Sequence, residues 1–188
     1  MEFYDDVLKL IDVNLVYCLA PMVLTLAIIN SFFNNRFATK KALNLIRWFV
    51  IGYSVNTVVL YIITFTTSTE SFEFLNRATG FYKIAYLLVL FSATILPFTL
   101  LFKKLGSNFI YVLVVSILIK IGVYFEKFVI VVTSFHRDYV PPDKLYPSWL
   151  DFSIYEISLV WAQGFILAIL TLGAFEVVNR VKFLSFEN

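Results

Sequence analysis

Five stretches of this chain, near residues 13–33, 45–67, 81–102, 108–134 and 150–178, are apolar on successive positions. Each is long enough to cross a hydrocarbon core, which takes roughly 20 helical residues. Within such a core every backbone N–H and C=O must be satisfied internally, so only helices or a closed barrel can span it. Barrel strands would be about ten residues long and strictly alternating, which these runs are not. The expected fold is therefore an all-α polytopic membrane protein with five transmembrane helices, residues 13–188 forming a single transmembrane domain. Composition points the same way: 60% of the residues are hydrophobic and mean hydropathy is +0.84, against about 45–50% apolar residues in soluble domains.

The charges set the expected orientation. Arg36, Lys40, Lys41 and Arg47 fall between spans one and two, Lys103 and Lys104 between three and four, and Arg180 and Lys182 after five, which puts eight basic residues on one side. The other side carries Lys9, Arg77, Arg137 and Lys144 together with most of the acids: Glu2, Asp5, Asp6, Asp12, Glu70, Glu73, Asp138 and Asp143. The positive-inside rule then predicts an outside N-terminus and a cytoplasmic C-terminus. Residues 1–12 space Phe3, Val7, Leu8 and Ile11 helically against Glu2, Asp5, Asp6 and Lys9, as in an interfacial amphipathic segment; a frayed acidic terminus is the other reading. The position of the first span and its acidic flank argue against a cleaved signal peptide.

Local signals punctuate the spans. Thr39 is predicted as N-cap of a helix beginning at Lys40 and Lys41, and Trp48 as an interfacial anchor. Pro21 and Pro97 lie inside spans one and three, where each removes a backbone donor and should kink or loosen its helix. Ser148 with Asp151 makes a capping box for the fifth span. Tyr139, Tyr146, Tyr155 and Trp149 form an interfacial aromatic belt.

Several chemistries are disfavoured at once. Cys18 is the only cysteine and His136 the only histidine, so the chain has no internal disulfide, no thiolate cluster, no bis-histidine haem and no intact catalytic triad. Walker, GxGxxG, GxSxG and HExxH patterns are missing from the sequence. No catalytic residue and no metal ligand set is assigned, the chain is not expected to bind a cofactor by itself, and nothing points to nucleic acid.

Attention falls instead on ionisable residues inside the spans, which cost at least a few kcal/mol and mark partners, water or function. The run GVYFEKFVIVVTSFHRDYVPP, residues 122–142, places Glu126 and Lys127 in an apolar segment and ends near His136, Arg137 and Asp138. Counting inward at about 1.5 Å per residue brings Lys127 and Glu156 to similar depth, a candidate intramembrane ion pair. The same count gathers Lys120, Asn56 and Gln163 near the midplane, where Lys120 keeps its charge only if water or these amides solvate it. Glu126, His136, Asp138, Lys120, Asn56 and Gln163 then form a candidate proton path, with Arg77 and Arg137 as loop or partner contacts. The competing reading makes these residues glue between helices, or long side chains reaching for the headgroups.

Four stretches in order, LAPMVLTL (19–26), FEFLNRATGFYKIAY (72–86), ILPFTLLFKKLGSN (95–108) and the 122–142 run, resemble NrfD-like (polysulfide reductase type) membrane subunits. The similarity is closest to the C-terminal half of the ActC subunit of alternative complex III, whose motif has the form G-aromatic-F-E-R-F-V-I-V-V-T-S-hydrophobic-H-R-D. The resemblance implies the second four-helix bundle plus last helix of such a subunit, in a bacterial inner membrane. It further implies a quinone-linked respiratory complex in which other membrane subunits, an iron-sulfur protein and a cytochrome c subunit carry the iron-sulfur and haem c centres. Quinone would then bind only with a partner supplying the first bundle. Arg77, Glu126, His136, Arg137 and Asp138 match the family pattern; Val58 stands where the family has glutamate, Lys120 where it has asparagine, and Lys127 where it has arginine. The expected function is support of assembly with a proton path, rather than catalysis by the isolated chain. A small transporter or channel, and a structural or assembly protein, are the alternatives.

Overall fold

The structure is a computed structural model that describes residues 10–33, 37–67, 79, 83–122, 125 and 148–184. Its elements are helical: a π-helical turn Asp12–Val16 leading into α1 (Leu19–Phe32), α2 (Thr39–Thr67), α3 (Lys83–Thr94) continued as a 3-10 helix Leu96–Leu101, the short α4 (Lys103–Gly106), α5 (Phe109–Leu118) and α6 (Ser148–Leu184). Among the described residues, four segments are long and apolar enough to cross a membrane: Asn14–Phe32, Thr39–Ile63, Lys83–Leu101 and Ser158–Val181. The chain is thus a multi-pass membrane protein. The fourth expected span, 108–134, enters the described residues mainly through α5 and the turn that follows it.

Helix α1 is the centre of the bundle. Of its span, 44% is buried within the protein, against 17–22% for the other three, and it packs most extensively against α5 and α6, then α2. Val16, Leu19, Met22, Val23 and Leu26 from this first segment meet Leu43, Ile46 and Val50 of α2, Val112 and Val115 of α5, and Ala168 and Leu172 of α6. Outward faces such as Ile84, Leu87, Leu88 and Phe91 on α3, or Phe165, Ile166, Ile169 and Leu170 on α6, stay exposed and apolar, as lipid requires.

The expected disturbance at Pro97 is present and its cost is met by a neighbour. Proline has no N–H to offer the carbonyl four residues earlier, which is Ala93, and Phe98 N–H turns to Ile95 O at 3.1 Å, leaving Thr94 O free as well. The fully buried Ser54 hydroxyl on α2 donates to both, at 3.1 Å to Ala93 O and 3.0 Å to Thr94 O. Ser54→Ala is expected to lower stability by about 1–3 kcal/mol, the penalty for stranded buried carbonyls. Thr66→Ala, whose exposed hydroxyl doubles up on Ile62 O and Ile63 O in its own helix, should stay within about 0.5 kcal/mol; denaturant titration in detergent compares the two.

Pro21 behaves differently, because the helix before it has already changed register. Tyr17 N–H bonds Asp12 O, five residues back, and Cys18 N–H bonds Leu15 O, three back, before Met22 N–H resumes the α pattern on Cys18 O. The loosening sits at Tyr17 and Cys18, one turn ahead of the proline.

Thr39 is not the N-cap expected from its sequence position. The carbonyl of Ala38 already accepts from Lys41 and Ala42 N–H, and the buried Thr39 hydroxyl donates sideways to Asn30 Oδ1 at 2.8 Å. Capping comes from another helix: Glu176 Oε1 on α6 accepts from Ala38 N–H at 2.8 Å, placing a carboxylate at the positive end of the α2 dipole. Lys41 Nζ donates to Asn179 Oδ1 at 2.6 Å, so the start of α2 is tied to the end of α6. The fifth expected span does begin at Ser148 as a helix.

An intramembrane ion pair as candidate functional site

Lys120 lies just after α5, eleven residues beyond Phe109, or roughly 17 Å into the bundle at 1.5 Å per residue. Its ammonium donates to Asp12 Oδ2 at 2.7 Å and to the Tyr53 hydroxyl at 2.7 Å. Tyr53 OH in turn donates to Asp12 Oδ1 at 2.6 Å, closing a triangle between three segments of chain. The Nζ also lies 5.1 Å from the Tyr53 ring centroid and 5.7 Å from that of Tyr17, within cation–π range. Lys120 is 12% exposed and Asp12 31%, so the anion keeps the access to solvent and the cation is enclosed.

Local structure explains how Asp12 arrives there. A π turn carries an extra residue relative to an α turn, re-aiming the side chains before it, and such turns often occur at functional sites. This one holds Asp12 at the mouth of the most apolar part of the core, with Tyr53 on α2 and Lys120 after α5 converging from the other sides. Two residues further along the same segment, Gln163 of α6 donates to Asn14 O at 3.2 Å and Asn14 Oδ1 at 3.1 Å. Asn14 itself donates to Leu10 O at 2.9 Å. The cluster is an ion pair, a phenol and two amides, able to hold a charge in place or to pass a proton between Tyr53 and Asp12 over a short distance.

The midplane layer expected from residue counting is therefore rearranged. Lys120 and Gln163 both engage the first segment, through Asp12 and Asn14, and Asn56 lies one turn past Tyr53, half-buried. The count assumed that polar residues on facing helices meet at equal depth; the π turn supplies nearer partners. Asp12 and Tyr53 were missed, Asp12 because it closes an amphipathic terminal pattern and Tyr53 because an aromatic in an apolar run looks like core. The usable signal was an acid flanking one span and an unmatched lysine within another. Arg77, Glu126, Lys127, His136, Arg137 and Asp138 lie outside the described residues, as does residue 1–9 of the amphipathic segment. Glu156 belongs to helix α6, but the Lys127 to Glu156 pair falls with Lys127 outside the described residues.

Fold and site together define a polytopic helical membrane protein with an ion pair enclosed among its helices. Comparison of the chain with protein-family models, with curated proteins and with solved structures found no match.

Proposed function

We propose that this chain is a membrane-embedded subunit of a quinone-linked respiratory oxidoreductase complex of the NrfD-like type, in a bacterial inner membrane. In this reading it has five spans, an outside N-terminus and a cytoplasmic C-terminus, and it stands for the second bundle and last helix of such a subunit. Its role is to support assembly and to offer protons a route, while electron transfer belongs to iron-sulfur and cytochrome c partners and quinone binds with a partner membrane subunit. The reading rests on the four ordered stretches of sequence resemblance. The observation that supports a proton role is the closed Asp12–Tyr53–Lys120 triangle, since titratable groups in mutual hydrogen-bond contact inside a membrane are costly unless they are used or paired.

Purification from native membranes in mild detergent is the test. Iron-sulfur or cytochrome c subunits should accompany the chain, and a chain that purifies alone contradicts the proposal. Within an intact complex, Glu126→Gln, His136→Ala and Lys120→Met should each slow quinol-driven respiration if protons pass through this subunit. Unchanged respiration would leave assembly alone as its role, which the pairing of Lys120 with Asp12 also accommodates.

A further inference from the structure

Arg47 was counted from the sequence as one of the basic residues flanking the second span, yet it is only 9% exposed. Its Nη1 donates to Asn44 Oδ1 at 3.2 Å and its Nη2 to Leu101 O at 3.1 Å, while Nε has no hydrogen-bond partner. The side chain is sandwiched. Trp48 lies with its ring centroid 5.5 Å from the guanidinium carbon, and Gly106 backs the other side so closely that a Cβ there would stand 2.6 Å from Arg47 Cδ and Nε. No carboxylate among the described residues pairs with this charge; its two acceptors are a neutral amide and the last carbonyl of the 3-10 helix. An enclosed cation without an anion costs several kcal/mol, and two neutral acceptors offset only part of that.

The surroundings have the shape of an amphiphile. Leu101, whose carbonyl Arg47 holds, ends the third span, so Lys103 and Lys104 are among the first residues beyond the hydrocarbon, and both are exposed. Beside them Trp48, Leu101 and Phe102 are 54%, 49% and 69% exposed, an apolar surface on the membrane side of the same corner. A fixed guanidinium, two exposed ammonium groups just beyond the end of the span and an open apolar wall below them suit a phosphodiester carrying acyl chains. We propose that this corner, between the start of α2 and the 3-10–α4 turn, binds an anionic phospholipid, with Lys103 and Lys104 gripping the phosphate, Arg47 supplying the buried positive field and Trp48 and Phe102 flanking the chains.

The proposal does not depend on the respiratory reading. The intact chain is to be exchanged into vesicles containing equal phosphatidylglycerol and phosphatidylcholine, extracted gently, and its retained lipids counted by native mass spectrometry. Phosphatidylglycerol should be retained in clear preference. Lys103→Gln with Lys104→Gln should reduce that preference roughly 30-fold, about fivefold for each basic group at a membrane surface, and Lys103→Arg with Lys104→Arg should preserve it. Both pairs change only exposed side chains, so a folded protein is expected in each case. Equal retention of the two lipids, or a preference surviving the glutamine pair, overturns the proposal. Displacement of the lipid by millimolar inorganic phosphate would identify free phosphate as the occupant and overturn the lipid assignment.

Discussion

Asp12→Ala is expected to destabilise the folded bundle by on the order of 2–3 kcal/mol, the largest single effect in the ion-pair cluster. Removing one partner of a buried pair typically costs about 3–5 kcal/mol, because the other charge is left enclosed and unpaired. The lower figure follows from Asp12 keeping 31% of its side chain exposed. Lys120 bears the loss, since it is 12% exposed and retains only the Tyr53 hydroxyl and two ring faces. The effect is conditional on that lysine: in the double variant Asp12→Ala with Lys120→Met most of the stability should return, because a buried pair replaced by apolar groups is often neutral. Denaturant unfolding in detergent of the two single variants and the double variant closes the cycle. A coupling energy near zero would show that the two charges do not need each other, and would remove the physical basis for treating the cluster as a site.

Gly164 is the second position where a small change should act strongly. A Cβ at this glycine of α6 would lie 2.5 Å from Pro21 Cγ and 2.9 Å from Cys18 O, so the helices touch almost backbone to backbone. The Cys18 thiol bridges the same seam, 3.6 Å from Val160 O. Small residues at such seams are how membrane helices gain close packing when lipid is as apolar as leucine. Gly164→Ala is expected to cost about 1–3 kcal/mol by overpacking, since a proline ring and a backbone carbonyl cannot swing aside, and Gly164→Leu should prevent α6 from docking. Gly173→Ala, two and a half turns further along α6 with nothing within 4 Å of its Cβ position, should instead be neutral or stabilise by up to about 1 kcal/mol. Thermal unfolding of the three variants decides whether the α1–α6 contact is as close as described.

Hydropathy made the spans legible because lipid imposes one requirement on every residue of a crossing segment. The first and third expected spans, 13–33 and 81–102, differ from Asn14–Phe32 and Lys83–Leu101 by only a residue or two. The second helix starts at Thr39, within one residue of the expected start at Lys40, but the carboxylate that meets its first turn is Glu176 from a distant helix, and no local pattern encodes that partner. The same limit governs the site. Lys120 was legible as a charge needing company, but which residue answers it depends on the neighbour relations of helices and on a one-residue change of register at Asp12–Val16. Arg47 shows the reverse case: a charge near a span end looks solvated, and only the close backbone at Gly106 reveals that it is enclosed.

The central place of α1 also has a consequence in time. Helix α1 is made before the described helices it packs against and is the span most covered by protein, and the contact from Cys18 to Val160 closes a separation of 142 residues. At roughly 5–20 residues per second of synthesis, α1 spends about 7–28 s in the membrane before α6 exists to cover it. Position 18, fully buried in the finished protein, reports that interval: a photo-crosslinking side chain introduced there should label lipid in nascent chains ending before Ser148 and protein in the complete one. Full cover for α1 thus has to wait for α6, one of the two helices it packs against most extensively.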